Sequence, residues 1–381
     1  MRRQTQLAAL FLTASLAAVA QNSSPKVFRS GNEWVEEING TLTAGKVVKA
    51  KTSGGDIKVQ GGTQNNVTYV IRKRVHARSE DAARKQFAFL KTSAYNSGEI
   101  AFLRAECGGS NGSADFEIHV PSQTSLIKLD TDGGAVTATN ISGQVEANTG
   151  GGTIQMDQIG GIVLAQSGGG DIEIGKTSSD VQLDTGGGNI RVIGAGGNVK
   201  ASSGGGDVNI GYGKIMVLDT GGGSITVSKC TGQLKASSGG GNLDLSDISG
   251  TAQLETGSGT IHIGPVHGGV RAETGAGNIV ANLAGVKNSF SASRLETSMG
   301  DIVVYVPEDL GVTIHAAVDV ARGKGILSDL SGLTITASGE GAGPREVYAE
   351  GSLNGGGPVL HVHTVSGNIQ FKRKDKDKEQ K

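Results

Sequence analysis

Apolar and polar residues alternate in short segments through the middle of the chain, and these segments recur at a nearly constant interval. Residues 154–156 read IQM, residues 172–174 read IEI and residues 190–192 read IRV. The first apolar residue of each such segment falls at positions 136, 154, 172, 190, 208, 225, 243, 261 and 279, a step of 18 residues with a single step of 17. Alternation with period two, rich in β-branched residues, predicts strands that bury one face.

A second alternating segment and two glycine-containing turns complete each unit. Residues 181–183 read VQL and residues 199–201 read VKA, and each is followed by a glycine triplet and then by one of the segments above. The unit therefore predicts one coil of a solenoid, with two short strands, a glycine-triplet corner and a second glycine corner. Coils stacked about 4.8 Å apart pair their backbone groups and build a continuous core. The glycines are expected at the corners because glycine accepts positive φ.

The apolar position that precedes the triplet alternates between small and large side chains. Its occupants are Ala165, Leu183, Ala201, Leu218, Ala236, Leu254 and Ala272. We expect these side chains to interleave between successive coils, because such alternation fills a narrow core to normal packing density. The predicted fold is an all-β, single-chain β-solenoid (β-helix) with coils of about 18 residues.

The regular rhythm is confined to residues 121–306, the predicted Gly-rich β-solenoid. Residues 34–120 contain an early copy of the repeat, TSGGDI at 52–57, and a helix predicted from Glu80 to about Lys91. Ser79 is the expected N-cap of that helix. We interpret the region as a small α+β cap, because an open solenoid end exposes unpaired strand edges.

The other segments are assigned from composition and from the last repeat copy. Residues 307–371 predict a C-terminal solenoid and cap, which the copy SGNI at 366–369 is expected to close. Residues 21–33 are interpreted as a linker. The charged residues 372–381 predict a disordered tail.

The N-terminus has the pattern of a cleaved signal peptide over residues 1–20. Arg2 and Arg3 precede an apolar run of 14 residues that ends in AVA at 18–20. This run is shorter than a standard membrane span, and the small-x-small ending is typical of a secretory cleavage site. No Cys follows it and no later stretch is apolar enough to span a membrane. We therefore expect an exported protein that is periplasmic, cell-surface or secreted, without a transmembrane segment in the mature chain.

Composition narrows the functional classes. Gly accounts for 63 of 381 residues, without a Gly-X-Y period, and aromatic residues for 4%, which favours a thin aliphatic core over a wide one. The net charge of −1 gives no electrostatic footprint for nucleic acid. Cys107 and Cys230 could pair in an oxidising compartment or remain separate thiols. Two cysteines alone cannot form a Cys-based zinc site.

The ladder of Thr/Ser-Gly-Gly-Gly-Asp/Asn-Ile copies resembles a bacterial family of β-strand-repeat proteins known as putative adhesins. The Val-Pro segments that end at 121 and 307, and the closing residues 351–369, share in the resemblance, which covers most of 34–371. The family is largely a domain of unknown function. The resemblance implies an envelope location and a non-catalytic role, with no active-site residues to carry over. The predicted signal peptide departs from the membrane attachment expected of many relatives.

Calcium is one candidate ligand, because Gly-rich solenoids with a following Asp bind it elsewhere. Asp follows the triplet at Asp56, Asp171, Asp207 and Asp301, whereas other coils carry Thr153, Asn189, Ser224, Asn242, Thr260 or Asn278. A regular ligand row would need an oxygen-rich residue in every coil. We favour turn residues that bond local backbone.

Other candidate sites are weaker still. His361 and His363 alternate on one strand and could start a metal site. No third ligand is evident, so we interpret them as surface residues. His262 and His267 are interpreted in the same way. Tyr212 is the one aromatic residue of the regular coils that could stack on a sugar. An ice-binding row would use Thr149, Thr185, Thr220, Thr256 and Thr274.

A polysaccharide-cleaving β-helix would need a carboxylate pair, or a basic residue beside a metal, on one face. The outward charges are mixed in sign, as on a solvated sheet: Glu146, Glu173, Arg191, Lys200, Lys235, Asp244 and Arg271. We predict no catalytic, cofactor or metal residues and no enzymatic activity. The leading hypothesis is an exported envelope solenoid, an adhesin, that presents a surface to an envelope or extracellular macromolecule. The alternatives are a self-assembling periplasmic scaffold, an envelope-sensing accessory protein and, less favoured, a polysaccharide-active enzyme.

Overall fold

The computed structural model describes residues 24–108, 112–284, 290–321, 323, 325–338 and 345–374. Within these residues the chain forms 34 strands and one helix. The predicted signal peptide, and the predicted tail from residue 375 onward, lie outside the described residues.

The N-terminal region contains eight strands and the helix. They are β1 Lys26–Ser30, β2 Glu33–Thr43, β3 Val47–Thr52, β4 Ile57–Gly62, β5 Asn66–Val75, α1 Glu80–Phe87, β6 Lys91–Ser97, β7 Ile100–Glu106 and β8 Ser113–Pro121.

The regular coils follow as pairs of strands, one in each of two sheets. The strands that the regular coils contribute to sheet 2 are β9 Leu126–Thr131, β11 Gln144–Thr149, β13 Val163–Ser167, β15 Val181–Thr185, β17 Val199–Ser203, β19 Met216–Thr220, β21 Leu234–Ser238, β23 Ala252–Thr256, β25 Val270–Ala276 and β27 Ser293–Met299. The strands that they contribute to sheet 1 are β10 Val136–Ile141, β12 Ile154–Ile159, β14 Ile172–Thr177, β16 Ile190–Ala195, β18 Val208–Gly213, β20 Ile225–Cys230, β22 Leu243–Ile248, β24 Ile261–Val266, β26 Ile279–Leu283 and β28 Ile302–Val306.

The C-terminal region comprises six strands. They are β29 Val312–Ala321, β30 Ile326–Ser328, β31 Leu333–Ser338, β32 Arg345–Leu353, β33 Val359–Ser366 and β34 Ile369–Arg373.

Each strand of a regular coil pairs in parallel with the equivalent strand of the next coil. Ile154 lies beside Ile172, and Ile172 beside Ile190, so equivalent positions of the repeat form straight rows. Each sheet has 17 strands within the described residues, and its two end strands pair with one neighbour only, so neither sheet closes into a barrel. The predicted β-solenoid is confirmed.

The core is a thin layer between the two sheets. Ala165, Leu183 and Ala201 are successive register partners in sheet 2 and are at most 1% exposed. The alternation of small and large side chains therefore runs along the solenoid axis, as predicted, and lets each Leu fill space above and below a neighbouring Ala.

The corners need glycine because neighbouring coils approach each other closely there, and not because the backbone has a positive φ. None of the glycines in 186–188 or 204–206 has a positive φ. A Cβ on Gly188 would overlap the carbonyl group of Gly170 in the preceding coil, and one on Gly186 would overlap that of Gly168. Around the middle glycine, Gly187, there is no atom within 4 Å of a Cβ position. The expectation of positive φ is wrong for these corners, because the backbone of the preceding coil, and not the turn itself, excludes the side chain.

The first repeat copy of the sequence is not the first coil of the stack. Strand β4 lies between β8 and β10 in sheet 1, and β3 lies between β7 and β9 in sheet 2. The coil of residues 47–62 is therefore intercalated between a later coil, β7–β8, and the start of the regular solenoid. Both of its faces are paired although it comes first in the chain.

Antiparallel strands and the helix cover the N-terminal end, as the sequence predicts. Sheet 1 continues beyond β8 through β5, β2 and β1. Ser79 caps α1, and Ala83, Phe87 and Leu90 pack in a small second core. The helix ends at Phe87 instead of near Lys91, because Leu90 N bonds Phe87 O in a turn and β6 begins at Lys91. Residues 26–30, expected in a linker, form β1 because they pair with β2.

Charged side chains tie the strands of this cap together. Arg72 on β5 contacts Glu37 on β2 at 3.0 Å and Glu117 on β8 at 2.8 Å. The hydrogen bond from Arg72 lowers the pKa of the Glu117 carboxyl. On the other face of β5, Lys73 and Glu36 form an ion pair of 2.8 Å in which the Lys73 side chain is 10% exposed.

The C-terminal end repeats the intercalation. The last repeat copy forms β33 and β34, which insert between the β27–β28 coil and the strands β29 and β30. The copy at 366–369 therefore does not close the structure. Strands β32 and β31 lie beyond β29 in antiparallel order. Strand β34 extends to Arg373, because Lys372 and Arg373 pair with β28, so the predicted tail begins at least two residues later.

Candidate functional site

A row of buried hydroxyl groups runs along the inside of the glycine-triplet corner. Thr185 Oγ1 donates to Gly170 O of the preceding coil at 2.9 Å and accepts from Gly188 N at 3.2 Å. The same donation recurs at Thr149, Ser167, Ser203, Thr220, Ser238, Thr256, Thr274 and Thr297. These side chains are 2–6% exposed. The threonines considered for an ice-binding face are therefore buried and engaged in the corner.

A second ladder runs along the outside of the same corner. Asp207 Oδ1 accepts from Ser224 N at 2.8 Å, and Asn189 Oδ1 accepts from Asp207 N at 2.9 Å. Equivalent contacts are made by Asp56, Asp171, Asn242, Asn278 and Asp301. Each oxygen binds the backbone of the next coil, so these residues bond backbone as expected but across the coils. In the described part of the chain, no group of three or more His, Cys, Asp and Glu side chains is placed to hold a metal ion.

The outer face of sheet 2 places its charges in two straight rows. The first row contains Lys200, Val217, Lys235, Gln253, Arg271 and Arg294, which are successive register partners. The second row, two residues further along each strand, contains Asp184, Ser202, Asp219, Ser237, Glu255, Glu273 and Glu296. A basic row therefore runs beside an acidic row along the solenoid axis.

Within these rows the charges repeat every second coil. Lys200 and Lys235 are separated by Val217, which places the two cations about 9.6 Å apart at the usual strand spacing. Asp184 and Asp219 are spaced in the same way but are displaced by one coil. From Leu183 to Leu254, coils with a buried Ala carry the cation, and coils with a buried Leu carry the anion. The inner alternation noted in the sequence thus continues on the outer surface.

The two-coil pattern gives way to an acidic stack near the C-terminal end. Glu255, Glu273 and Glu296 lie in three consecutive coils and line a shallow groove that His363 also borders. Arg271 Nη2 lies 2.6 Å from Glu273 Oε1, an ion pair without an aligned hydrogen bond. Arg294 pairs with Glu296 at 3.2 Å. Intrastrand pairs therefore balance part of this charge.

Of the outward residues weighed for catalysis, only some share a face. Glu146, Lys200, Lys235 and Arg271 lie on sheet 2, whereas Glu173, Arg191 and Asp244 lie on sheet 1. The sequence analysis interpreted these charges as mixed in sign, as on a solvated sheet, and missed the rows on sheet 2. Comparing the residues on either side of the alternating Ala and Leu would have revealed them.

The histidines lie on the surface near carboxylates. His361 stacks on His315 of β29, with ring centroids 5.6 Å apart, and His315 Nδ1 lies 3.3 Å from Glu350 Oε1. His363 Nε2 lies 3.1 Å from Asp319 Oδ1. His361 and His363 share the outer face of sheet 2.

The other two histidines considered as metal ligands, His262 and His267, lie apart from His361 and His363. His262 Nδ1 lies 3.1 Å from Asp244 Oδ1 on the outer face of sheet 1, and His267 is half-buried beyond the end of β24.

Tyr212 and the two cysteines, the remaining candidates from the sequence, lie apart from one another. The Tyr212 ring lies over the backbone of Gly194 and is 41% exposed. Cys107 lies in the N-terminal region, and Cys230 is a free thiol in the solenoid core. Burial raises the pKa of the Cys230 thiol.

The fold and this surface define a class of protein: a two-sheet parallel β-solenoid with an ordered, charged lateral face. No helix in the described residues has the length and apolar character needed to cross a membrane.

Comparison with known proteins adds two distant structural neighbours. Neither a family model nor a curated protein sequence matches the chain. A putative cell adhesion protein from Clostridium sporogenes aligns over 92% of this chain and 100% of its own, with 12% identity and a TM-score of 0.20. A putative adhesin from Bacteroides fragilis aligns over 71% of this chain and 95% of its own, with 12% identity and a TM-score of 0.26. Likeness at this level carries no inference about the function of this chain.

Proposed function

We propose that this chain is an exported, non-catalytic protein of the bacterial envelope that binds a macromolecule along the outer face of sheet 2, as an adhesin does. The observation that supports the proposal is the pair of charged rows. A straight, periodic array of charges matches a ligand that is itself long and periodic, whereas a small molecule needs a concave pocket.

The surface favours recognition through many weak contacts. The basic row and the acidic row lie side by side, so a ligand that carries only one sign of charge would meet repulsion as well as attraction. A macromolecule that presents both signs, or charge beside hydroxyl groups, fits better. Exposed ion pairs contribute little each, and affinity would come from the number of coils that the ligand engages.

The test measures binding of the purified mature chain to isolated cell envelopes of the producing bacterium. In one variant, Lys200, Lys235 and Arg271 are replaced by Gln. The matched control replaces three cations on the opposite sheet, Lys176, Arg191 and Lys229, by Gln, so that the net charge changes equally. We expect the first variant to lose binding and the control to retain it. Equal binding by both variants would show that sheet 2 is not the binding surface.

Location and catalysis need separate measurements. Protease digestion of intact cells, with lysed cells as the control, distinguishes surface exposure from a periplasmic location. Degradation in intact cells favours adhesion, whereas protection until lysis favours the scaffold or sensing alternatives. Turnover of an envelope polysaccharide by the pure protein would replace the proposal by the enzymatic one.

A further inference from the structure

Three of the four outermost strands of the two sheets are protected against pairing with another chain, and one is not. Strand β1 carries Lys26 and Arg29, and strand β30 is only three residues long. Strand β6 begins with Lys91, and its Asn96 side chain bonds both backbone groups of Thr43. Charges, short length and covering contacts are the usual means by which proteins block an exposed sheet edge.

Strand β31 has none of these devices among the residues that the structure describes. Its sequence, LTITAS at residues 333–338, contains no charge and no Pro, and it pairs with β32 on one side only within the described residues. The unpaired N–H and C=O groups of its free side are available to another strand. The β-branched residues in this segment favour the extended conformation that such pairing needs.

The side chains of β31 are also incompletely covered. Leu333, Ile335 and Ala337 share the face of Val347 and Ala349 on β32, which are fully buried. Ile335 is nevertheless 44% exposed, because sheet 1 ends at the short strand β30 and sheet 2 extends past it. An apolar side chain on the core side of the sheet is therefore left open at the edge.

We propose that β31 is a dimerisation edge, and that its partner is β31 of a second copy of this chain. Two identical edges related by a two-fold axis pair antiparallel and form an isologous interface. With Ile335 opposite Ile335, Leu333 lies opposite Ala337 and Thr334 opposite Thr336. A large side chain then lies opposite a small one, and a hydroxyl group lies opposite a hydroxyl group. No charged side chains of the same sign face each other. Such cross-strand pairs stabilise a sheet, and the core sides of the two copies face the same way.

This interface is small, so we expect a concentration-dependent equilibrium rather than a permanent dimer. It goes beyond the proposed function, because it uses the end of the solenoid and leaves the charged rows of sheet 2 free. Dimerisation and envelope binding are therefore measured separately, and either one can fail without the other.

The experiment is sedimentation velocity of the mature chain over a concentration series, with Ile335→Lys and Ile335→Glu variants. Each variant places like charges opposite each other at the two-fold axis, so we expect each alone to lose the dimer. An equimolar mixture of the two should regain it. Ile193→Lys is the matched control, because Ile193 is 50% exposed on an interior strand, and this variant should dimerise like the wild type. Thermal unfolding of every variant verifies that each is folded.

Cysteine cross-linking tests the register in a Cys107→Ser background. Ile335→Cys should give a disulfide-linked dimer on mild oxidation, and Leu333→Cys should not, because its partner is Ala337. A wild-type chain that stays monomeric at its solubility limit would overturn the proposal and leave the edge for a strand of a different protein. Dimers that persist in Ile335→Lys, or that do not return in the mixture, would also overturn it.

Discussion

The glycine triplet gives the sharpest test of how the coils are held together. Gly187 and Gly188 are adjacent, and sequence alone treats them as equivalent. In the structure a Cβ at Gly188 would overlap the carbonyl of Gly170, whereas a Cβ at Gly187 would meet nothing within 4 Å. We therefore expect Gly188→Ala to be strongly destabilising and Gly187→Ala to be close to neutral.

The magnitude follows from what must move. Overpacking in a close-packed region costs about 1–3 kcal/mol. The carbonyl of Gly170 also accepts the Thr185 hydroxyl at 2.9 Å, so displacing it weakens a buried hydrogen bond that contributes about 1 kcal/mol. We expect Gly188→Ala to lower the free energy of unfolding by about 3 kcal/mol. Gly187→Ala should change it by less than about 1 kcal/mol, with stabilisation arising from reduced freedom of the unfolded chain.

The assay is urea unfolding followed by circular dichroism, with hydrogen exchange of the amides in β15–β18 as a local readout. The local readout is needed because stacked repeats can unfold in parts. If the two alanine variants shift the unfolding midpoint equally, close approach of the coils is not the reason for the triplet. Destabilisation by Gly187→Ala alone would refute the reasoning outright.

Three further outcomes follow from the corner ladders and the cap. Thr185→Val should lower the free energy of unfolding, measured in urea, by about 1–3 kcal/mol, because it leaves a buried carbonyl and a buried N–H unpaired. Thr185→Ser should be tolerated, because Ser occupies this position in alternate coils. Asp207→Ala should destabilise by about 1 kcal/mol while Asp207→Asn does not, and neither calcium nor a chelator should shift the melting temperature of the wild type. Arg72 lowers the pKa of Glu117 below its unfolded value, so the stability from this pair is present above the unfolded pKa and is lost as pH falls through the folded pKa. Glu117→Gln should flatten the acid side of the stability profile, whereas the same change at Glu99, whose pair with Lys46 is exposed, should not.

The regular coils were predictable because each of their determinants is local. Alternation at 154–156, a glycine corner and the next copy 18 residues later are sufficient to define a coil and its stacking partner. The same local pattern at 52–57 and 366–369 correctly gave coils but not their order in the stack. Intercalation depends on which coil docks against which, and that choice is made by contacts between residues far apart in sequence.

The chemistry of the corner was only half predictable. The position after the glycine triplet predicted Asp207 and its equivalents as turn residues, but it did not predict the hydrogen bond that each side-chain oxygen accepts from the backbone of the next coil. That bond requires the coil spacing, which brings Ser224 N within reach of Asp207. The charged rows of sheet 2 were present in the sequence as a two-coil repeat, yet they become a surface only when the register places Lys200 and Lys235 in one line.

The intercalated coils explain how the same molecule can hold a regular face and an open edge. A simple solenoid ends in a coil with one unpaired side. Here the terminal repeat copies are paired on both sides. Three of the four outermost strands are antiparallel to their neighbours, and the fourth, β30, pairs in parallel with β34. Every strand of sheet 2 that carries the charged rows is paired on both sides. The proposed dimerisation edge, β31, lies away from the charged rows, so the proposed self-association and the proposed ligand binding need not compete for the same surface.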